Sequence, residues 1–64
     1  MNALPPELQA QVEAICAEGC NHVRAVIRRL EADSPPAELR KLDPDARQRI
    51  LRELQAIMAV YDAH

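Results

Sequence analysis

The stretch CAEGCN, residues 16–21, contains the only glycine and both cysteines of this 64-residue chain. Glycine costs a helix about 1 kcal/mol relative to alanine and often ends one, so Gly19 decides whether the first helix is one element or two. Apolar residues before and after Gly19 recur at steps of three and four residues with no change of register. This pattern predicts one continuous helix over residues 6–32. The alternative is a kink at residues 19–21, with Asn21 as a new N-cap.

The apolar positions of the first helix form a broad face, and a last helix repeats the same spacing. Gly19 lies on this face, so we interpret it as a packing residue that lets a partner helix approach closely. Tyr61 is expected to pack its ring while its hydroxyl reaches water or a partner. The predicted core and dimer residues are Leu8, Val12, Ile15, Gly19, Val23, Val26, Leu30, Ile50, Leu54, Ile57, Met58 and Tyr61.

Prolines mark the helix starts, because proline at a first helical position loses no hydrogen bond and the residue before it avoids the helical region. Pro36 predicts a short helix over residues 36–42. Asp43 followed by Pro44 predicts a capped helix over residues 44–63. With one glycine and few turn signals, the fold class is all-α: a single domain over residues 1–64, built as an antiparallel helical hairpin with a short linking helix.

The chain is poor in large apolar side chains. Eleven of its apolar residues are alanines, and it has no Trp and no Phe. A chain of this size buries only about 60% of the surface that its unfolded form exposes. We therefore expect a homodimer that forms a four-helix bundle, with Leu39 and Leu42 closing one end. All eight basic residues lie within 19–52 and the chain ends are acidic, so we expect the two copies to pair head to tail.

Cys16 and Cys20 are the sharpest candidates for chemistry. Four residues apart on a helix, they share a face and can ligate one soft metal ion or be oxidised together. Two thiolates supply half of a tetrahedral metal site, and His22 points to another side of the helix. The preferred interpretation is two buried, inert packing thiols. Thiol redox chemistry, an inter-chain disulfide and metal binding are the alternatives.

Arg24, Arg28 and Arg29 are candidate contacts for the phosphates of a nucleic acid. The net charge of −2 and the interleaved acidic residues favour a solvated or ion-paired surface, so nucleic acid is not the partner we expect. No nucleophile–base set with catalytic spacing, phosphate-binding loop or zincin motif occurs in the sequence. We therefore expect neither an enzyme nor a bound cofactor.

The sequence thus predicts a small cytoplasmic adaptor or regulatory protein that acts through protein–protein contacts. The longest apolar run is too short to span a membrane, and the N-terminus lacks the pattern of a secretory signal. In a reducing compartment the two cysteines are expected to be free thiols or metal ligands and not a structural disulfide. One alternative is a thiol redox or metal-binding protein that uses Cys16 and Cys20. The other is a helical dimer that binds RNA or DNA through arginines near the loop.

Overall fold

The computed structural model describes residues 4–62, which form four α-helices and no strand. These are α1 (Pro6–Ala17), α2 (Cys20–Glu31), α3 (Ala37–Arg40) and α4 (Pro44–Asp62). The all-α fold class is therefore confirmed for this part of the chain. The last residue of the predicted helix 44–63 lies outside the described residues.

The predicted continuous helix over residues 6–32 is wrong, because Glu18 is the C-cap of α1 and the backbone leaves the helical conformation at Gly19. Gly19 has φ +106° and ψ 166°, a conformation open almost only to glycine. Its amide closes the last turn of α1 on the carbonyl of Cys16 at 3.1 Å, and its carbonyl accepts from the amide of Val23 at 3.1 Å. The break is where the alternative placed it, but Gly19 itself is the N-cap and Asn21 lies inside α2.

The interpretation of Gly19 as a packing residue is also wrong. Gly19 is exposed, and a Cβ atom built on it meets no atom within 4 Å. Its role is conformational, since its positive φ lets the chain turn between α1 and α2. The turn allows α1 to contact both α2 and α4.

The C-terminus of α2 is closed by a Schellman motif. The amide of Ser34 donates to the carbonyl of Arg29 at 2.8 Å, and the amide of Asp33 donates to the carbonyl of Leu30 at 3.2 Å. Asp33 has φ +58°, the left-handed conformation that this motif requires. The helix therefore ends at Glu31, one residue before its predicted end.

The starts of α3 and α4 follow the prolines. Pro36 is the N-cap of α3, so this helix is shorter than predicted and covers only Ala37–Arg40. Pro44 is the first residue of α4, as the sequence indicates. The carboxylate of Asp43 accepts a hydrogen bond from the amide of Ala46 at 2.7 Å, which confirms the predicted cap.

Helices α2 and α4 run side by side in opposite directions. Arg24 of α2 binds Asp62 of α4 at 2.8 Å, and Gln55 of α4 donates to Glu31 of α2 at 3.0 Å. The start of α2 therefore lies beside the end of α4, and the end of α2 lies beside an earlier part of α4. Helix α1 packs against both of them.

One core lies between the three longer helices, and Leu39 of α3 closes it with no exposed surface. Leu30 and Ile57, two of the predicted core residues, are partly buried and pack against this core. Tyr61 is 60% exposed, so its assignment to the core of this chain is wrong. The buried residues of the core are Leu8, Val12, Ile15, Val23, Val26, Leu39, Ile50, Leu54 and Met58.

The expectation of a dimer rested on an apolar face that one chain leaves uncovered. Because the chain turns at Gly19, α1 itself covers the apolar faces of α2 and α4. Among the described residues, only Val60 and Tyr61 are exposed large hydrophobic residues. The uncovered face is therefore not a reason for two copies to associate. Between residues 4 and 62, no helix is both long enough and apolar enough to cross a lipid bilayer.

Candidate functional site

Cys16 and Cys20 flank the turn between α1 and α2. Cys16 lies in the last turn of α1, is partly buried and packs against the core. Cys20 is the first residue of α2 and is exposed, so the interpretation of both residues as buried packing thiols is wrong for Cys20. A residue at the start of a helix has no preceding helical turn to cover it. The structure therefore presents one accessible thiol next to a partly covered one.

The surroundings of Cys16 disfavour its ionised form. Burial raises the pKa of the Cys16 thiol above its ordinary value, and nearby Cys20, Glu13 and Glu53 raise it further. Both effects disfavour the thiolate, the first by desolvation and the second by repulsion between negative charges. Cys16 is therefore a slow nucleophile at neutral pH, because the thiolate is the reactive form.

A metal site on one chain lacks ligands. Within residues 4–62, no group of three or more His, Cys, Asp and Glu side chains is placed to hold a metal ion. A closed structural zinc site needs four ligands, of which Cys16 and Cys20 supply two. His22 is partly buried and lines a different hollow with Glu18 and Glu38. The thiol pair by itself therefore offers an incomplete metal site.

Two of the three candidate phosphate-binding arginines already have partners. Arg24 pairs with Asp62 at 2.8 Å, and the Nε of Arg29 donates to the carbonyl of Ser34 at 3.1 Å. Arg28 is exposed on α2. The pairing with Asp62 places Arg24 at the far end of α4 from the loop, contrary to the expectation of a basic loop end. Arg24 and Arg29 are therefore already engaged by groups of the same chain.

The last two turns of α4 carry a small apolar patch that the sequence analysis missed in part. Val60 and Tyr61 are 63% and 60% exposed, and Ile57 is partly buried one turn earlier. Residues three and four positions apart lie together on a helix surface, so these three side chains form one strip. We call them the α4 patch. Val60 falls off the core-facing spacing of α4, and this was the available signal that it faces solvent.

Charged groups of both signs border the α4 patch. Asp62 follows Tyr61 directly and pairs with Arg24, and both side chains remain more than half exposed. A polar rim around an exposed aromatic residue is typical of protein–protein contact surfaces. Among the described residues, the α4 patch is the surface that most resembles such a contact.

Two hollows on the described surface are small. One has a volume of about 130 Å³ and lies between the end of α2 and the start of α4, where Arg47 donates to the carbonyl of Leu42. The other, of about 230 Å³, contains His22 between Glu18 and Glu38. Both are smaller than the roughly 300–1,000 Å³ typical of small-molecule sites. Neither includes a cysteine or a serine among its lining residues.

Comparison of the chain with known proteins finds no matching family model, no matching curated protein and no matching solved structure.

Proposed function

We propose that the chain is a small helical binding module that acts through protein–protein contacts and catalyses no reaction. The observation that supports this proposal is the exposure of Val60 and Tyr61, at 63% and 60%, whereas the other large apolar side chains within residues 4–62 are buried or partly buried. Tyrosine is enriched at contact surfaces because its ring buries a large area with little loss of conformational freedom. The α4 patch is thus the proposed binding surface.

The partner we propose is a second copy of the chain. In a two-fold homodimer the same surface meets itself, so the α4 patch of one copy packs on that of the other. Arg24 and Asp62 border the patch with opposite charges, and a two-fold axis can set each beside its opposite in the second copy. In this arrangement the antiparallel α2–α4 pairs of the two copies lie side by side as four helices that meet at the α4 patch, while α1 of each copy covers the apolar faces of its own α2 and α4. We place this dimer in the cytoplasm, where an exposed thiol such as Cys20 stays reduced.

Sedimentation equilibrium over a range of about 1 to 500 µM tests the proposal. Removing a central aromatic residue of an interface usually costs more than tenfold in affinity, so Tyr61→Ser should raise the dimer dissociation constant at least about tenfold. Ala59→Ser is the matched control, because Ala59 is exposed on the same turn but is not part of the α4 patch. A wild-type chain that stays monomeric at the highest concentration, or equal effects of the two substitutions, contradicts the proposal.

A second candidate function is thiol chemistry at Cys16 and Cys20. The observation in its favour is the accessible thiol of Cys20, which lies close enough to Cys16 to raise the pKa of that residue. Oxidation of the pair to a disulfide transfers two electrons and two protons to an external disulfide, whereas metal binding uses both thiolates and ligands from a second copy.

Thiol titration of the native protein with an aromatic disulfide reagent separates these cases. Reaction of Cys20 alone, followed by intramolecular closure onto Cys16, supports a redox function. Stoichiometric zinc or iron in the purified protein supports metal binding. Two stable mixed disulfides, with no metal present, contradict both forms of this candidate.

A further inference from the structure

The sequence and the structure disagree at one point, the path of the chain through Gly19. The apolar spacing runs from Leu8 to Leu30 without a change of register, as in one straight helix. The structure nevertheless divides this segment into α1 and α2. A chain whose local pattern fits one conformation and whose tertiary packing selects another has two competing forms available to it.

The turn between α1 and α2 depends on the backbone conformation of Gly19. Gly19 is the N-cap of α2 without a side-chain hydrogen bond, and a Cβ at this position meets no atom within 4 Å. What selects the turn is the burial that α1 gains when Leu8, Val12 and Ile15 enter the core. If a second copy offers a core from which α1 is missing, α1 can gain the same burial in that copy, and the turn at Gly19 is no longer required.

A straightened segment carries its own reason to pair with a second copy. In one helix over α1 and α2, the side chains of Leu8, Val12 and Ile15 lose their contacts with their own chain. The remaining α2, α3 and α4 then lack the side chains that fill one side of their core. A second straightened copy has the same vacancy and the same unpaired α1, so the two can restore both cores by exchange.

We propose that Gly19 is a hinge through which two copies of the chain exchange α1: the α1–α2 turn opens into one continuous helix, and α1 of each copy packs in the core of the other. This proposal is independent of the α4 patch, because the exchanged contacts are those of the core. The exchanged dimer preserves the buried contacts of the single chain, so the hinge residue sets the balance between the two forms. The proportion of the exchanged dimer increases with protein concentration.

Alanine of either hand at position 19 tests the hinge with the same atoms. An L-alanine is strained at φ +106° and favoured in a continuous helix, so Gly19→Ala should shift the chain towards the exchanged dimer. Because the exchanged dimer relieves the backbone strain at position 19 in both chains, the dimer dissociation constant should fall by about 100-fold or more. A D-alanine, introduced by chemical synthesis of the 64-residue chain, accepts positive φ and opposes a right-handed helix, so it should keep α1 packed in its own chain and prevent the exchange.

Size-exclusion chromatography and circular dichroism provide the readouts. The Gly19→Ala dimer should show more helix per chain than the monomer and should exchange slowly with it, because exchange requires α1 to leave the core. In the double variant Gly19→Ala with Tyr61→Ser, this dimer should persist, whereas association through the α4 patch should be lost. Failure of the hinge and failure of the α4 patch are thereby distinguished.

Three results would overturn the hinge. The first is a Gly19→Ala chain that stays monomeric at 500 µM, whether folded or unfolded, since the exchanged form should rescue it. The second is equal dimerisation of the L-alanine and D-alanine chains when both also carry Tyr61→Ser. The third is a dimer of Gly19→Ala that Tyr61→Ser abolishes.

Discussion

The junctions that precede α4 and α2 are stabilised in different ways, and the difference shows which helix starts can be predicted from the sequence. At the start of α4, the carboxylate of Asp43 accepts a hydrogen bond from the amide of Ala46, and Pro44 occupies the first helical position. At the start of α2, no side chain caps the helix, and the turn depends on the positive φ of Gly19. Side-chain chemistry fixes the first junction locally, whereas tertiary burial of α1 selects the second.

The largest effect is expected at Leu39, which ties the junction before α4 to the core. Its side chain has no exposed surface, so Leu39→Ala leaves a cavity and should lower the free energy of unfolding by about 2–5 kcal/mol. Urea denaturation followed by circular dichroism measures the loss. Lys41→Ala, an exposed neighbour, is the control and should change stability by less than about 0.5 kcal/mol. Equal effects of the two substitutions would show that the linker is not anchored as described.

The next largest effect is expected from the cap at the same junction. Asp43→Ala removes the acceptor for the amide of Ala46 and should cost about 1 kcal/mol in thermal or urea denaturation. Asp43→Asn keeps an acceptor oxygen and should recover most of that loss. The parallel change at the other junction, Glu18→Ala, removes no cap and should stay within about 0.5 kcal/mol. A cost at Glu18 equal to that at Asp43 would remove the distinction between the two junctions.

A third junction, at the end of α2, lies between these two cases. The Schellman motif there is held by backbone hydrogen bonds, and Asp33 adopts φ +58° at some steric cost. Asp33→Gly relieves that cost and should raise stability by up to about 1 kcal/mol, while Asp33→Val should lower it, because a β-branched residue is strained there. The midpoints of urea denaturation rank the three chains. A valine chain as stable as the aspartate chain would disprove the left-handed conformation.

The smallest effect concerns the partly covered thiol beside the Gly19 turn. The pKa of Cys16 is raised in the folded chain, so the unfolded chain releases this proton first as pH rises. The contribution to stability is therefore complete below the ordinary thiol pKa of 9.0 and declines as pH increases beyond it. Unfolding midpoints measured under reducing conditions between pH 7 and 10 should fall less in Cys16→Ala than in wild type. Parallel curves for the two chains would place this thiol in free solvent.

The all-α class and the start of α4 could be predicted because their signals are local. Asp43 and Pro44 specify a helix start whatever the rest of the chain does. The apolar spacing likewise identified most of the buried side chains, such as Val12 and Leu54, since the helical period fixes which residues share a face.

The division at Gly19 and the exposure near helix ends could not be read in the same way. A break that leaves both sides in phase is invisible to periodicity, and its energy depends on what α1 can bury elsewhere. The spacing of apolar residues places Cys20 and Tyr61 on the apolar faces of their helices. Each residue nevertheless lies in a terminal turn, where the adjoining turn on one side is missing and less of the protein covers the side chain. Whether a residue near a helix end is exposed depends on how far the neighbouring helix extends, and the spacing within one helix does not show this.

The full enclosure of Leu39 has a practical consequence for engineering. Exposed connections between helices usually tolerate an inserted label, affinity tag or fusion domain. Here an insertion within Ala37–Arg40 would pull an enclosed side chain out of place. The exposed side chain of Lys41, directly after that segment, is the better attachment point.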